Sequence, residues 1–467
     1  MLQADPLEVA KDCVPPLDPA SLLSRWPRDR PVALIHAGMG ARTSARWSLM
    51  GTPSRVEMLE AGEIDALLAN PLAGAELGVD AATAWIARSL GSSRLDHAVP
   101  AAGDRPPFST GRLAVLAYEL GAILEPAARD RHRARPRLGE GPLAFAASLE
   151  GAQAFDHARE VWWRIGESPS TCAAPVLDEP PEEEPPWTLS PLRPDRGDDA
   201  FEANVRRCVE LIHAGDLFQA NVAERFTATL DGSPRDLAAA ALRRGAARFG
   251  GYVEISPDLA VLSLSPELFL ATGAWAGSSA GVVTCPIKGT RPAGADLDAF
   301  AADPKDAAEL AMIVDLMRND LGRVCRPGSV RVVEPRRFEV HPTVMHGVAE
   351  VRGELREGTD LATLLVATFP PGSVTGAPKI RAMQVIDAFE PSPRAAYCGS
   401  LGWVDDRHGL VLNVAIRTAV LRRDREASDE RWEVEYHAGC GIVADSDPAA
   451  ESAERRDKTA VLGQWSS

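Results

Sequence analysis

Short apolar runs broken by glycine and proline fill the first part of the chain, and longer amphipathic stretches with marked starts fill the rest. Val32-Ala33-Leu34-Ile35 and Leu113-Ala114-Val115-Leu116 read as strands, with a helical stretch near Asp80–Leu90 between them. Asp303-Pro304 and Asp447-Pro448 each set a carboxylate ahead of a proline, which predicts a capped helix start: the side chain accepts a free backbone N–H and proline fits the first helical position. On the first of these helices Leu310, Ile313, Val314 and Met317 recur at helical spacing as an apolar stripe, with Glu309 on its edge beside Met312, Ile313 and Leu316. Another helix is predicted through Met383, Val385, Ile386 and Phe389. Asp258–Leu264, Leu410–Val420 and Trp432–His437 read as strands, the last alternating Trp432, Val434 and Tyr436 with charged residues.

The pattern lapses between Ala173 and Asp199, where Asp178-Glu179-Pro180-Pro181-Glu182-Glu183-Glu184-Pro185-Pro186 combines proline with mutually repelling carboxylates. This predicts an extended linker over 173–199, separating an N-terminal region, 1–172, from a catalytic domain, 200–467.

At 467 residues the chain can bury a large core, and its formal charge of −16 argues against a nucleic-acid groove or an anionic membrane surface as the main partner. An anionic substrate therefore needs a local cation or metal. The seven cysteines are scattered and form no CxxC pair, which points to a reducing compartment and to neither a disulfide framework nor a zinc knuckle. Met1-Leu2-Gln3-Ala4-Asp5-Pro6 has no basic and apolar leader, and no long apolar run occurs, so a cytoplasmic location is expected.

Only five of the fifty basic residues are lysine, and Lys288, Lys305, Lys379 and Lys458 all fall in motif-like stretches. A lysine amine, unlike a guanidinium, can become neutral and act as a nucleophile or base. Lys288, in Pro286-Ile287-Lys288-Gly289-Thr290, is read as held in a tightly shaped loop, and Glu267, after Ser265-Pro266, would form an acid/base and nucleophile pair with it if the two face each other. Glu451 and Glu454 share a helix face with Lys458 beyond them; with Glu309 they suit a hard cation, although Glu454 and Lys458 alone would make an ordinary surface ion pair. Gly372-Ser373-Val374-Thr375-Gly376-Ala377-Pro378-Lys379 runs into a helix and offers backbone amides to a carboxylate. It is no ATP phosphate loop, because Pro378 lacks an amide and Ile380 stands where Ser or Thr should bind Mg²⁺. Arg417 reads as a lone cation in an apolar strand that wants a carboxylate, and Ala438-Gly439-Cys440-Gly441 as a glycine-rich stretch or a hairpin turn.

Together these segments resemble the chorismate-utilising enzyme family. The resemblance is dense from Phe201 to Lys458, through Gly215-Asp216-Leu217-Phe218-Gln219-Ala220-Asn221, the Glu267 and Lys288 motifs, Ala308-Glu309, Ile313 to Val324, Phe369-Pro370, the 372–379 loop, Ile416-Arg417-Thr418, and Gly441 to Ser446 with Glu451 and Glu454. It is weak in the first half, through His36–Ser48 and Ala117-Tyr118-Glu119-Leu120-Gly121. It implies an α+β fold of two large packed antiparallel sheets with helices on the outer faces. Position 288 separates reactions within the family: anthranilate synthases carry alanine there and aminodeoxychorismate synthases the lysine.

By that likeness Lys288 attacks chorismate and Glu267 is the acid/base. Glu309, Glu451 and Glu454 hold Mg²⁺, and Arg417, Thr375, Gly376, Gly439, Gly441 and Lys458 surround the substrate's carboxylates. The implied product is 4-amino-4-deoxychorismate, on the way to 4-aminobenzoate and folate. No glutaminase motif is visible, so a separate glutamine amidotransferase subunit is implied as the source of ammonia. An anthranilate synthase and an inactive chorismate-binding subunit are the rival readings. This chain departs from the pattern at Cys285, where arginine is common, at Leu268, at Cys440, where glycine or alanine is usual, and around His346 at Gly347 and Ala349.

Overall fold

The structure, a computed structural model, describes residues 17–36, 46–70, 74–91, 94–98, 106–108, 111–129, 137–139, 141–165, 187–244, 247–340, 344–427 and 430–464. Cys13, Cys172, residues 37–45 of the His36–Ser48 segment and 173–186 of the expected linker lie outside them. The five cysteines among the described residues are all free.

Two antiparallel sheets make up the centre, and both halves of the sequence supply strands to each. The first runs in the order Arg331–Val340, Val344–Glu354, then Gly281–Cys285 and Ile287–Pro292 end to end along it, with Gly281–Cys285 followed by Leu268–Thr272, Gly409–Asn413, Ser400–Asp405, Gly111–Leu116 and Pro142–Asp156. The second runs Ala33–His36, Gly250–Ser256, Leu259–Ser263, Thr418–Arg423, Arg431–Ile442 and Gln219–Asp231. Trp47–Glu60 joins them, pairing with Pro142–Asp156 along its length and with Ala33–His36 near one end. Register shifts between Met50 and Thr52 and between Ser54 and Glu57 give this long pair the bulges at which a strand can bend from one sheet into the next.

Alternation sorts the side chains into layers. Val115, Phe145 and Leu401 of the first sheet meet Val253, Val261 and Val420 of the second in one buried cluster between them. The outer face of the first sheet is covered by helices that include Gly74–Trp85, Pro304–Gly322 and Leu361–Thr368. The second is covered by Pro19–Ser24, Pro234–Arg244 and Pro448–Gly463. Each large aliphatic or aromatic side chain fully buried this way stabilises the fold by about 1.5–3 kcal/mol.

The helix starts form as their sequences require. Asp303 accepts the backbone N–H groups of Lys305 and Asp306, and Asp447 that of Ala450, each with proline at the first turn. The predicted stripe of Leu310, Ile313, Val314 and Met317 is buried. The end of the expected linker is ordered: Thr188–Leu189 and Arg193–Pro194 add to the Gln219–Asp231 strand, and a helix spans Asp198–His213.

Three local expectations are corrected. Lys288 lies in a strand, Ile287–Pro292, and not in a loop. The predicted Leu410–Val420 strand breaks at Val414–Ile416, and Arg417 sits in the break with a left-handed φ of 53°. The Ala438–Gly441 stretch is not a hairpin turn, since its strand runs unbroken to Ile442 against Gln219–Asp231. No helix among the described residues is long and apolar enough to cross a membrane.

Candidate active site

Three strands distant in sequence converge on Lys288. Its own strand pairs Lys288 with Gly347, and the register shifts before Thr290 because Gly289 adopts a φ of 76°. A bulge of this kind re-aims the neighbouring side chain. The amine passes over Gly441 on the Arg431–Ile442 strand, where a Cβ would stand 2.8 Å from Nζ and would also collide with the Gln219 amide. Gln219 is buried, and its Oε1 has no hydrogen-bond partner. The sequence motif contains Gln219 but gave it no role; nothing local distinguishes a glutamine that starts a strand from one that faces a site.

Glu267 is the second component. Its backbone is pinned by Ser265 Oγ, which accepts its N–H at 3.1 Å, and by Val414, whose N–H donates to its carbonyl at 3.0 Å. The side chain is buried, with Oε1 lacking a partner. Burial pushes its carboxyl up to about 7, against the opposing pull of the Ser373 hydroxyl, the Lys288 ammonium, the Ile287 amide and Arg417. A carboxyl titrating near neutrality can both give and take a proton at physiological pH. Ser373 is a second contributor that the sequence did not single out.

Arg417 reaches the same space from the break between strands. Its carbonyl accepts the Leu264 N–H at 2.9 Å, which fixes the backbone. Desolvation lowers its affinity for a proton, Tyr436 and Glu267 act against that, and its guanidinium forms no ion pair among the described residues. It is available to an incoming carboxylate.

The carboxylates come from two helices. Glu451 is buried and its Oε1 accepts from Ser446 Oγ at 2.7 Å, while Ser446 Oγ accepts the Val443 N–H at 3.1 Å. Glu454 pairs with Lys458 at 2.7 Å, and that ammonium also donates to the Gly439 carbonyl at 2.8 Å. The Cys440 sulfur and one carboxylate oxygen from each of Glu451 and Glu454 lie within 4.8 Å of one another. Glu309, on the Pro304–Gly322 helix, is outside that tight group but faces it. Burial raises its carboxyl pKa, Lys288 and Lys305 lower it, and the charges of Asp306 and Glu451 raise it again.

The 372–379 loop closes one side. The Thr375 hydroxyl donates to the Pro371 carbonyl at 2.6 Å, leaving only its lone pairs for a ligand, and its carbonyl accepts the Asn221 N–H at 2.9 Å. Gly376, with φ 141°, pairs with Ala220, and a Cβ there would strike the Gln219 carbonyl. Lys379 turns away: its ammonium donates to buried Asp320 at 2.6 Å and to the Thr368 carbonyl at 2.8 Å. His346 is buried beside the Lys288 strand, its Nδ1 3.0 Å from Thr290 Oγ1. A cavity of about 470 Å³ lies away from this cluster, between the sheets at Val115, Ile255 and Val420. The cluster thus joins an amine, a proton-exchanging carboxyl, a free guanidinium and a carboxylate group suited to a cation.

Residues 79–463 match the family described as chorismate binding enzyme. Aminodeoxychorismate synthase component 1 of Klebsiella aerogenes is 34% identical over 446 residues, covering 91% of each chain. An anthranilate synthase component 1 of Haloarcula marismortui is 41% identical over 275 residues, 57% of this chain and 52% of that one. Among solved structures, anthranilate synthase component I from Streptococcus pneumoniae superposes with a TM-score of 0.69 at 25% identity, covering 96% of this chain and 97% of that one.

Proposed function

The chain belongs to the chorismate binding enzyme family, and within that family of enzymes acting on chorismate we propose that it makes 4-amino-4-deoxychorismate from chorismate and ammonia. The observation that carries this reading is the pairing of an amine, Lys288, with a buried carboxyl, Glu267, that titrates near neutrality beside it. The near full-length likeness to aminodeoxychorismate synthase component 1 supports it.

In this reading the Lys288 amine forms a bond to C2 of chorismate, the ring double bonds shift, and the C4–O bond breaks. Glu267 supplies the proton with which the hydroxyl leaves as water. Ammonia then adds at C4, the double bonds shift back, the C2–N bond breaks to free Lys288, and the Glu267 carboxylate accepts the proton shed by the new amine. Its value near 7 suits both directions of transfer. Arg417 and Lys458 would bind the substrate's carboxylates, with the backbone at Thr375, Gly376, Gly439 and Gly441 shaping their seats.

The donor set fits a divalent cation: Glu451 and Glu454 lie close together, and the cage they form already draws in the ammonium of Lys458. Glu309 would join them in holding Mg²⁺. When bound, that ion would neutralise and orient a substrate carboxylate. Ammonia would come from a separate glutamine amidotransferase subunit, in keeping with the words "component 1" in the relative's name, and the enzyme would serve 4-aminobenzoate and folate synthesis in the cytoplasm.

The rival is an anthranilate synthase, favoured by the Haloarcula relative and by the presence of His346. The test is to incubate the purified chain with chorismate, Mg²⁺ and ammonium, with and without an aminodeoxychorismate lyase. Formation of 4-aminobenzoate only with the lyase, and its loss in Lys288→Ala, is the expected result. Anthranilate and pyruvate without the lyase would overturn it. Chorismate binding without turnover would instead indicate an inactive subunit.

A further inference from the structure

We infer that the cavity between the two sheets, away from the Lys288 cluster, is a second binding site, one that takes a small molecule with an apolar body and a single ammonium group, and that Glu119 is the counter-ion of that ammonium. The inference is independent of the reaction proposed above.

The cavity has a built interior. At about 470 Å³ it falls in the size range of small-molecule sites, roughly 300–1,000 Å³. Its walls include Val115 and Phe145 of the first sheet and Ile255, Val261 and Val420 of the second, all members of the cluster that packs the two sheets together. Facing sheets normally interdigitate their side chains to close packing, and a space they leave unfilled forgoes contacts all around it. An apolar ligand would restore them.

The charge of the occupant follows from which lining groups are already paired. The two arginines that line the cavity both have carboxylate partners: Arg422 bonds Glu435 at 3.0 Å, and Arg225 bonds Asp195 at 2.8 Å. Two lining carboxylates remain. Glu433 forms no ion pair among the described residues. Glu119 is only 7% exposed; its Oε1 accepts the Arg394 N–H at 2.7 Å, and its Oε2 has no hydrogen-bond partner. The Arg394 side chain does not complete it, because that guanidinium bonds Glu390 and the carbonyls of Asn221 and Val374. A buried carboxylate left in this state calls for a charged donor. Burial pushes the Glu119 carboxyl up to about 7, and an ammonium beside it would favour the charged form. An anionic ligand would face both unpaired carboxylates, and a neutral apolar one would leave Glu119 as it is.

The test is calorimetric titration of the full chain with three probes that share one apolar body: naphthylethylamine, naphthylethanol and naphthylpropionate. Glu119→Gln keeps an acceptor for the Arg394 N–H and removes the charge, and Val420→Trp fills the cavity; each variant is checked by thermal melting. The amine is expected to bind once per chain and more tightly than the other two, and chorismate, added without ammonium, is expected not to displace it. Glu119→Gln should weaken the amine by roughly 10- to 100-fold, the effect of losing one charge-assisted hydrogen bond, and leave the alcohol unchanged. Val420→Trp should abolish binding of the amine. No binding of the amine, equal or tighter binding of the propionate, or full affinity for the amine in Glu119→Gln would each overturn the inference. Displacement of the amine by chorismate would place it at the Lys288 cluster and overturn it as well. If Val420→Trp does not fold, the comparison of amine and alcohol in Glu119→Gln decides alone.

Discussion

A single methyl group on Gly441 would stand 2.8 Å from the amine of Lys288. The glycine is there because a side chain from the Gln219–Asp231 strand and one from the Ile287–Pro292 strand share the space above it.

Gly441→Ala is accordingly expected to fold, because the atoms it meets are the mobile ends of Lys288 and Gln219, but to misplace the amine. A displacement of about 1 Å costs on the order of 10²-fold in rate. Measuring kcat beside the thermal midpoint checks this: an unchanged kcat would show that the amine does not need its present position.

On the proposed mechanism, Glu267 should tie rate to pH. If departure of the hydroxyl limits turnover, the protonated form is the active one, and kcat should fall as pH rises through about 7. Glu267→Gln should remove that limb and lower kcat by roughly 10²–10⁴-fold. Stability should move the same way. The folded carboxyl holds its proton up to about 7, against an ordinary value of 4.5, so its stabilising share is complete below 4.5 and is lost as pH rises through 7. Above pH 7 the glutamine variant should be the more stable protein, by a few kcal/mol, since each pKa unit is worth about 1.4 kcal/mol. Denaturant titration at pH 8 decides it.

Acid should unfold the protein through its histidines. Burial pushes His36 down to about 3 and His437 to about 3, and His157 to about 4, from an ordinary 6.5, with the charge of His157 adding at His36 and those of Arg394 and Arg225 at His437. These groups take up protons only on unfolding between those limits, so stability falls as pH drops from 6.5. Glu119 and Glu267, both raised to about 7 chiefly by burial, act in the opposite sense between 4.5 and 7. Below 4.5 the two glutamates are protonated in both states and the histidines act unopposed. Of these five groups, the net loss should therefore be steepest between about pH 4.5 and 4, and a urea midpoint followed from pH 7 to 4 should show the slope increase.

Arg394 should be among the most costly side chains to remove. It is buried, bonds both oxygens of Glu390 at 2.7 and 2.5 Å, and donates to the carbonyls of Asn221 and Val374 on two sides of the site. Its own N–H donates to Glu119 at 2.7 Å. Arg394→Met leaves Glu390 charged and unpaired, which costs about 3–5 kcal/mol. Adding Glu390→Gln should recover part of that loss, and a double-mutant cycle in denaturant measures how much.

Lys379→Met should lower stability, because it strands buried Asp320, and leave the affinity for substrate largely intact. A rise in KM at unchanged melting temperature would show instead that this lysine reaches the ligand.

Much of this was legible in the residues. The helix starts at Pro304 and Pro448 follow from local chemistry, and the stripe from Leu310 to Met317 from helical periodicity, because each depends on neighbours a few positions away. The break at Arg417 was not legible, since a left-handed arginine carries no sequence signal of the kind a glycine does. The Lys288 bulge was half legible: Gly289 announced a special conformation but not that a strand continued through it. Gln219 and Ser373 were out of reach for a different reason. A polar residue acquires a role only when strands from distant parts of the chain set it beside Lys288 or Glu267, and no local pattern records that convergence.

The shared long strands also govern how the protein comes into being. Leu116 lies opposite Ser400, and Ala33 opposite Val253. At ~5–20 residues per second of synthesis, the strand ending at Leu116 waits roughly 15–60 s for its partner to be made. During that time its apolar edge is open on the nascent chain, and pairing with a neighbour on the same messenger competes with correct folding. Neither sheet can close until nearly all of the chain has been translated, so this architecture places a standing demand on the cell's chaperones that two separately folding domains would not.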